Sequence, residues 1–327
     1  MKKKLLGILV CTVLVAATVF GCGSSGETAT EEPEKKEETA DSSDDKIVIG
    51  WTDANLSNES NAICANAAIA YAEQFDNVEL IVNDGEGTAD NQIAQCEAFV
   101  SQGVDAVIIS PYDYDACVTA AQICVDANIP VFVAKGLIAD MSVVETYVGS
   151  NDFNAGTIEM EYIVDLLGGK GNIVIIEGPT GVTGAVLRND GIDDVLSKNP
   201  DIEVLYRQPA DWYRDKAMEL MENWIQLGAD IDAVVAHNDE MALGAYDALE
   251  AAGITDVPVI GIDGIEAAVI SVGEGKLAAS ILQDSKTIGE KAIDIAIELA
   301  NGKSVEKEYD IPYQVITKDN YKDFLPE

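Results

Sequence analysis

The stretch that decides the fold is DAVVAHNDEMALGAYDALEAAG, residues 232–253. Its apolar segment at 233–236 is typical of a short buried strand, and an Ala- and Leu-rich helical pattern begins almost directly afterwards. Asn238 and Asp239 lie between the two elements, where either side chain can accept hydrogen bonds from the first turn of the helix. In open α/β sheets ligands bind outside the carboxyl ends of the strands, so this stretch predicts one edge of a binding site.

The rest of the chain repeats the same alternation of strands and helices. The next strand, VIGIDG at 259–264, also ends on a carboxylate, Asp263. Helical stretches of about 12–18 residues separate most of the predicted strands, as parallel strands joined by crossover helices require. From Lys46 onward about 280 residues remain, too many for one small core. We therefore predict an α/β protein of two doubly wound, Rossmann-like lobes, the first beginning at Lys46 and the second near Asn151.

The N-terminal residues have the pattern of an export signal. Three lysines at 2–4 precede an apolar segment at 5–20, which is too short for a comfortable membrane span. The segment ends in VFGC, which resembles the lipobox of bacterial lipoproteins, whose cysteine (here Cys22) is lipidated and becomes the new N-terminus. An ordinary secretory signal is the alternative. We predict a signal peptide at 1–21 and, at 22–45, an acidic disordered tether that has too few apolar residues to fold.

Composition excludes several classes of function. The formal net charge of −38 argues against nucleic acid and anionic lipid as partners, because both are bound through clustered Lys and Arg. Four cysteines lie in apolar helical patterns without a CxxC spacing, and we predict buried free thiols at Cys64, Cys96, Cys117 and Cys124. No nucleophile–histidine pair, metal-ligand cluster or phosphate loop stands out, so we predict no enzyme, no cofactor and no metal site.

Five short motifs carry polar or aromatic side chains that are candidates for a ligand site: GVTGAVLRNDG with Arg188, QPADW with Trp212, HNDEMALGA with Asn238, GIDG with Asp263 and KLAASILQ with Gln283. They closely resemble periplasmic sugar-binding proteins of the ribose/galactose type, which share their core with LacI-like repressors. The resemblance covers essentially all of residues 46–327 and implies the type I periplasmic-binding-protein fold. In that fold a three-segment hinge joins two lobes, here 46–150 plus about 284–312 and 151–283 plus about 313–327.

The resemblance also implies roles for these five side chains. A sugar offers hydroxyl groups that both donate and accept, and each hydrogen bond to a charged group contributes about 1.5–3 kcal/mol. Asp263 and Asn238 match family residues that bind hydroxyl groups, and Arg188 matches an arginine that faces the cleft. Gln283 matches a glutamine of the hinge. Trp212 would stack on one face of the sugar ring.

The first lobe departs from the ribose-type pattern. Ribose-type proteins carry an Asn-Pro-aromatic-aromatic run after the first strand, whereas this chain has NESN at 58–61. Asn58 is retained as a predicted ligand residue, but Ser60 and Asn61 replace the aromatic pair. This wall of the predicted site is therefore more polar, which argues against plain ribose as the ligand.

Three further first-lobe residues fall at predicted strand ends. Lys135 stands where ribose-type proteins have an aspartate, and we predict that it donates to a polar or acidic group of the ligand. The alternative is a surface lysine paired with Asp140 or Asp152. Ser110 and Ser150 also lie at strand ends and are included among the predicted ligand residues.

Taken together, these features predict an extracytoplasmic solute-binding protein, anchored by lipid to the outer face of the bacterial cell membrane. We expect a monomer that captures a sugar or sugar-like polyol, neutral or acidic, as its two lobes close. The resemblance implies delivery to the permease of an ABC importer with a separate ATPase. The alternative is a ligand sensor that presents its ligand to a membrane receptor or histidine kinase.

Overall fold

A computed structural model describes residues 46–325. The predicted signal peptide at 1–21, Cys22 and the predicted tether at 22–45 lie outside the described residues. Within the described range, no helix has both the length and the apolar character needed to span a membrane.

Twelve strands and nine α-helices alternate along the described residues. The strands are β1 (Ile47–Asp53), β2 (Val78–Asp84), β3 (Ala106–Ile109), β4 (Val131–Ala134), β5 (Tyr147–Gly149), β6 (Gly171–Glu177), β7 (Ile202–Pro209), β8 (Ala233–Ala236), β9 (Val259–Asp263), β10 (Ala279–Leu282), β11 (Glu308–Asp310) and β12 (Gln314–Ile316). The helices are α1 (Glu59–Ala72), α2 (Ala89–Gln102), α3 (Ala116–Asp126), α4 (Asp152–Leu167), α5 (Thr183–Lys198), α6 (Arg214–Gln226), α7 (Asp239–Ala251), α8 (Glu266–Glu274) and α9 (Ser285–Ala300). Short 3-10 helices lie at Met141–Val143 and Tyr321–Phe324.

The strands form two six-stranded sheets of similar topology. The first has the order β11-β5-β4-β3-β1-β2, and all its neighbouring strands are parallel. The second has the order β12-β10-β9-β8-β6-β7 and is parallel except for β12, which runs antiparallel to β10. Each sheet with its helices is one lobe, so the predicted α/β architecture of two doubly wound lobes is confirmed.

The chain passes between the two sheets three times. It leaves the first sheet after β5, returns from β10 through α9, and crosses again between β11 and β12. Helix α9 packs beside α1, and its apolar residues join the core of the first sheet. Three chain segments therefore connect the lobes, which is the basis for a hinge.

Both sheets are covered by helices on their two faces. The central strands β3, β4 and β8 consist of fully buried apolar residues, as parallel strands packed on both sides require. The four cysteines lie within these cores and are buried and free, as predicted. Burial raises the pKa of the Cys64 thiol to about 12, so it is uncharged and unreactive at neutral pH.

Asparagine caps position two helices at the sheet edges where the lobes face each other. The Asn58 side chain accepts a hydrogen bond from the N–H of Asn61 and begins α1. The Asn238 side chain accepts from the N–H of Met241 and begins α7. A residue that caps the first turn after a strand has its side chain at the carboxyl end of that strand, which is where a ligand site forms.

Candidate ligand-binding site

A cavity of about 670 Å³ lies between the lobes and is lined by residues that follow the carboxyl ends of strands from both sheets. We call it the cleft. Eight of the nine residues predicted to bind a ligand line it: Asn58, Ser110, Lys135, Arg188, Trp212, Asn238, Asp263 and Gln283. Ser150 is buried and lines a separate cavity of about 490 Å³ instead.

Arg188 is the centre of a buried network in the second lobe. Its Nε donates to Asp152 at 2.9 Å, one terminal nitrogen donates to the backbone oxygen of His237, and the other reaches the Tyr313 hydroxyl at 3.3 Å. Tyr313 donates to the same oxygen of Asp152 at 2.9 Å and accepts from Gln283 at 2.9 Å. The guanidinium is therefore fixed before any ligand enters, so little side-chain entropy remains to be lost on binding.

Trp212 reaches the cleft from a strained turn. Its φ of 72° and the φ of 55° at Asp211 lie in the left-handed region, which is unusual for a bulky residue. Gly178 permits this arrangement, because a Cβ there would overlap the indole ring. The Arg188 guanidinium lies 5.5 Å from the centre of the ring and supports it. Backbone strain of this kind concentrates at functional sites, where surrounding contacts hold it.

Asp263 places its carboxylate at the end of β9 in the cleft wall. Its φ of 134° is also in the region that L-residues avoid. Burial raises the pKa of Asp263, and the positive charges of Arg188 and Lys135 partly offset this effect. The carboxylate therefore faces cations from both lobes, and it remains available to accept from hydroxyl groups in the cleft.

Lys135 lines the cleft and does not form the surface ion pair that the sequence left as an alternative. With φ 63° its backbone turns the side chain so that Nζ donates to Ser60 at 2.8 Å and to Ser285 at 3.2 Å. Among the described residues it forms no ion pair with Asp140 or Asp152. Its charge instead lowers the pKa of buried Asp53, which burial raises more strongly. Lys135 is thus part of the protein's own network as well as of the cleft wall.

The remaining predicted polar residues differ in their surroundings. Asn58 lies on the cleft wall with its side-chain oxygen turned to the first turn of α1. Ser110 is buried, and its backbone oxygen accepts from Gln92 at 2.8 Å. The backbone oxygen of Ser150 accepts from the Tyr147 hydroxyl at 2.9 Å, and both residues line the second cavity. The structure therefore brings Asn58 and Ser110 to the cleft and separates Ser150 from it.

Sequence reasoning missed two residues of the Arg188 network. Asp152 was considered only as a surface partner for Lys135, yet it is the buried counter-ion of Arg188. Tyr313 entered only as the approximate start of the last second-lobe segment, yet its hydroxyl links Gln283 to Asp152. An acidic residue in a first helical turn usually balances the helix dipole, so no local signal identifies these pairings.

Among the described residues, four basic side chains line the cleft. Three of them form ion pairs within the protein: Arg188 with Asp152 at 2.9 Å, Arg214 with Glu240 at 2.9 Å and Lys216 with Asp211 at 2.7 Å. The fourth, Lys135, is held by two serines. At Arg188, Arg214 and Lys216 an acidic ligand would have to compete with a carboxylate that is already bound.

Comparison with known proteins gives consistent results. The family described as "Periplasmic binding protein domain" matches residues 49–304. The chain is 34% identical to a putative rhizopine-binding protein of Rhizobium meliloti over 283 residues, which are 84% of this chain and 92% of that protein. It is 39% identical to a xylitol-binding protein of Mycolicibacterium smegmatis over 245 residues, 75% of this chain and 70% of that protein.

A solved structure extends the similarity to three dimensions. An ABC transporter solute-binding protein from Bacillus halodurans, crystallised with bound myo-inositol, superposes with a TM-score of 0.83 at 36% identity. The match covers 86% of this chain and 98% of that one.

Proposed function

The chain belongs to the periplasmic binding protein family, and from this we propose that it captures a neutral polyol or sugar in its cleft and delivers it to an ABC importer. This is a family of binding proteins rather than enzymes, and it works outside the cytoplasm. The observation that carries the proposal is that polar side chains able to bind hydroxyl groups line one cavity from both lobes.

The chemistry of the cleft fits a molecule with many hydroxyl groups. Asp263 can accept, the guanidinium of Arg188 can donate, and the amide of Asn238 offers a donor beside an oxygen that already caps α7. Trp212 supplies an aromatic face for the C–H side of a ring. A buried polar group left without its partner costs free energy, so this set favours ligands that can satisfy each group.

The balance of charge supports a neutral ligand rather than an acidic one. The basic side chains of the cleft are engaged within the protein, whereas Asp263 adds a carboxylate to the wall. Similar proteins are described as binding xylitol or as holding myo-inositol, which are neutral polyols. We therefore favour an acyclic or cyclic neutral polyol over an acidic sugar.

A thermal-shift screen tests this proposal. The panel is myo-inositol, xylitol, D-ribose and D-glucuronate, and a ligand present at 100 times its Kd should stabilise the protein by about 2.7 kcal/mol. We expect a shift with a neutral polyol and none with D-glucuronate. A shift with D-glucuronate alone would contradict the proposal.

Asp263→Ala locates the site within the same screen. We expect it to abolish the polyol-induced shift, because it removes the carboxylate that accepts from ligand hydroxyl groups. Asp256→Ala, at an exposed position outside the cleft, is the matched control and should leave the shift intact. An unchanged shift in Asp263→Ala would place the site elsewhere.

We further propose that the ligand-bound form docks on a membrane permease powered by a separate ATPase. A role as a sensor for a receptor or histidine kinase is the alternative, and the named transporter relative supports transport. In cells that lack the protein, uptake of the labelled polyol should be lost. Normal uptake with a lost transcriptional response would favour the sensor.

We also infer a monomeric protein anchored through lipid at Cys22. The VFGC motif and the extracytoplasmic work of the family support this inference. Cys22→Ser should move the protein from the membrane fraction to the soluble fraction, whereas Cys11→Ser, within the predicted signal, should not. Retention of Cys22→Ser in the membrane fraction would refute lipid anchoring.

Lobe boundaries complete the proposal. We place them at 46–150 plus about 284–312 for the first lobe, and at 151–283 plus about 313–327 for the second. The crossings of the chain between the two sheets support these divisions.

A further inference from the structure

Asp239 is a fully buried carboxylate that lies behind the cleft wall and does not line the cleft. One of its oxygens accepts from the backbone N–H of Gly264 at 2.7 Å and from that of Ile265 at 3.0 Å. The hydroxyl of Ser280 donates to the carboxylate at 2.8 Å. A single side chain at the start of α7 therefore holds the turn after β9 and the neighbouring strand β10.

The turn that Asp239 holds is the one that carries Asp263. The two N–H groups belong to the residues directly after Asp263, whose φ is 134°, and Gly264 follows with φ 75°. A non-glycine residue in this region costs on the order of 1–3 kcal/mol and persists only where its surroundings hold it. The hydrogen bonds to Asp239 supply that restraint, because they fix the peptide groups on the C-terminal side of Asp263.

The Asp239 carboxylate also packs closely against β9, the strand that precedes the turn. Gly261 of β9 faces the carboxylate, and a Cβ there would crowd Asp239. The hydroxyl of Ser280 also accepts from the N–H of Gly264 at 3.2 Å, so turn, strand and helix share one set of hydrogen bonds. The position of the Asp263 carboxylate is thus coupled to a residue that does not line the cleft.

We propose that Asp239 is a positioning residue of the ligand site, which holds the strained turn at Asp263 in its ligand-binding conformation. This proposal rests on the proposed function, since it presumes that Asp263 contacts the ligand. Asp239 acts from behind the wall: its carboxylate restrains the backbone, and the backbone directs Asp263 into the cleft.

Proton binding provides a readout specific to this role. Burial and the negative charge of Asp263 raise the pKa of Asp239 to about 7. Glu159 of α4 also faces Asp239, and burial raises the pKa of Glu159 well above its usual range. Below pH 7 the protonated Asp239 is a weaker acceptor for two N–H groups and a hydroxyl, so polyol affinity should decrease.

Asp239→Asn tests the proposal without removing the side chain. We expect the Kd for myo-inositol to rise about tenfold, equivalent to about 1.4 kcal/mol. The change in Kd between pH 6 and pH 8 should also become smaller. The pH dependence of Kd that remains should move to lower pH, because the pKa of Asp263 falls when its negative neighbour is removed. Asp247→Asn, an exposed position on the same helix, is the control and should behave as the wild type.

Ser280→Ala provides a milder second variant. It removes one donor to Asp239 but keeps both backbone N–H groups, and Ser280 does not line the cleft. We expect a rise in Kd of only a few-fold, smaller than for Asp239→Asn. Loss of affinity in Ser280→Ala with none in Asp239→Asn would contradict the proposed order of effects.

Amide hydrogen exchange separates this proposal from the proposed function. In Asp239→Asn the amides of Gly264 and Ile265 should exchange at least about tenfold faster than in Asp247→Asn. Unchanged exchange would overturn the proposal whether or not any polyol binds. Faster exchange with unchanged affinity for myo-inositol would refute the positioning role. If the wild type binds no polyol, the proposed function fails, and exchange at these two amides still decides whether the restraint exists.

Discussion

At the scale of single residues, Lys135 links the ligand site to the interior of the first lobe. Its ammonium group donates to Ser60 and Ser285, and its charge lowers the pKa of Asp53 and of Asp263. Burial raises the pKa of both aspartates, and the lysine opposes this effect at Asp53 and, together with Arg188, at Asp263. A lysine held in this way stabilises the cleft wall rather than selecting an acidic ligand.

Lys135→Met should therefore weaken the binding of neutral polyols. We also expect the variant to lose about 1–3 kcal/mol of stability at pH 8, with a smaller loss at pH 5, because protonated aspartates no longer need the cation. Thermal unfolding at the two pH values measures this difference. Lys170→Met, at an exposed position, is the control. A selective loss of D-glucuronate binding would instead identify Lys135 as a reader of acidic ligands.

At the scale of elements, the close approach of α4 and α5 builds the Arg188 network. Gly156 of α4 lies against the backbone of Arg188, and Gly191 of α5 lies against the backbone of Phe153. A Cβ at either glycine would overlap a carbonyl oxygen of the other helix. The two helices can therefore approach closely enough for Asp152 of α4 to contact Arg188 of α5.

Gly156→Ala should push these helices apart. Overpacking of this kind costs about 1–3 kcal/mol, and we expect that loss in the free energy of unfolding measured with urea. Gly184→Ala is the matched control on α5, where the new Cβ would lie 3.5 Å from Asp152 in ordinary contact. It should be neutral or gain up to about 1 kcal/mol from helix propensity. Equal stability of the two variants would show that the close approach is not required.

At the scale of the whole molecule, buried carboxyl groups make stability depend on pH. Glu159 of α4 is fully buried, and burial raises its pKa well above its usual range, against the opposing effect of Arg188. Its pKa in the folded protein is thus higher than in the unfolded chain, so the folded state holds this proton more tightly. Tighter proton binding at Glu159 therefore adds to the free energy of unfolding. This addition is complete below the pKa of the unfolded chain, near 4.5, and decreases as the pH rises above it.

Glu159→Gln should remove this dependence. Between the pKa of Glu159 in the unfolded chain and its pKa in the folded protein, only the folded state holds this proton. The free energy of unfolding then falls by about 1.4 kcal/mol for each pH unit. We therefore expect Glu159→Gln to match the wild type near pH 5 and to exceed its stability at pH 8, measured by urea unfolding. Glu161→Gln, at an exposed position on the same helix, should follow the wild type. A variant less stable than the wild type at pH 8 would mean that Glu159 is charged and stabilising.

The sequence by itself determined the two-lobe fold, because strand–helix alternation and turn residues are local properties of the chain. It also determined that Asn238 and Asp263 end neighbouring strands, since each position follows from the length of one strand. Trp212 belongs to this group as well, because its motif stands directly after β7.

Only the tertiary structure decided which side chains the residues in and around the cleft contact. Lys135 meets Ser285 across 150 positions of sequence, and Asp152 meets Tyr313 across 161, so no local pattern could predict either pairing. Ser150 ends a strand as expected, yet the turn into α4 places it at a different cavity. The end of a strand fixes the backbone position of a residue. The direction of that side chain and the charge it meets depend on how the two sheets and their helices pack together.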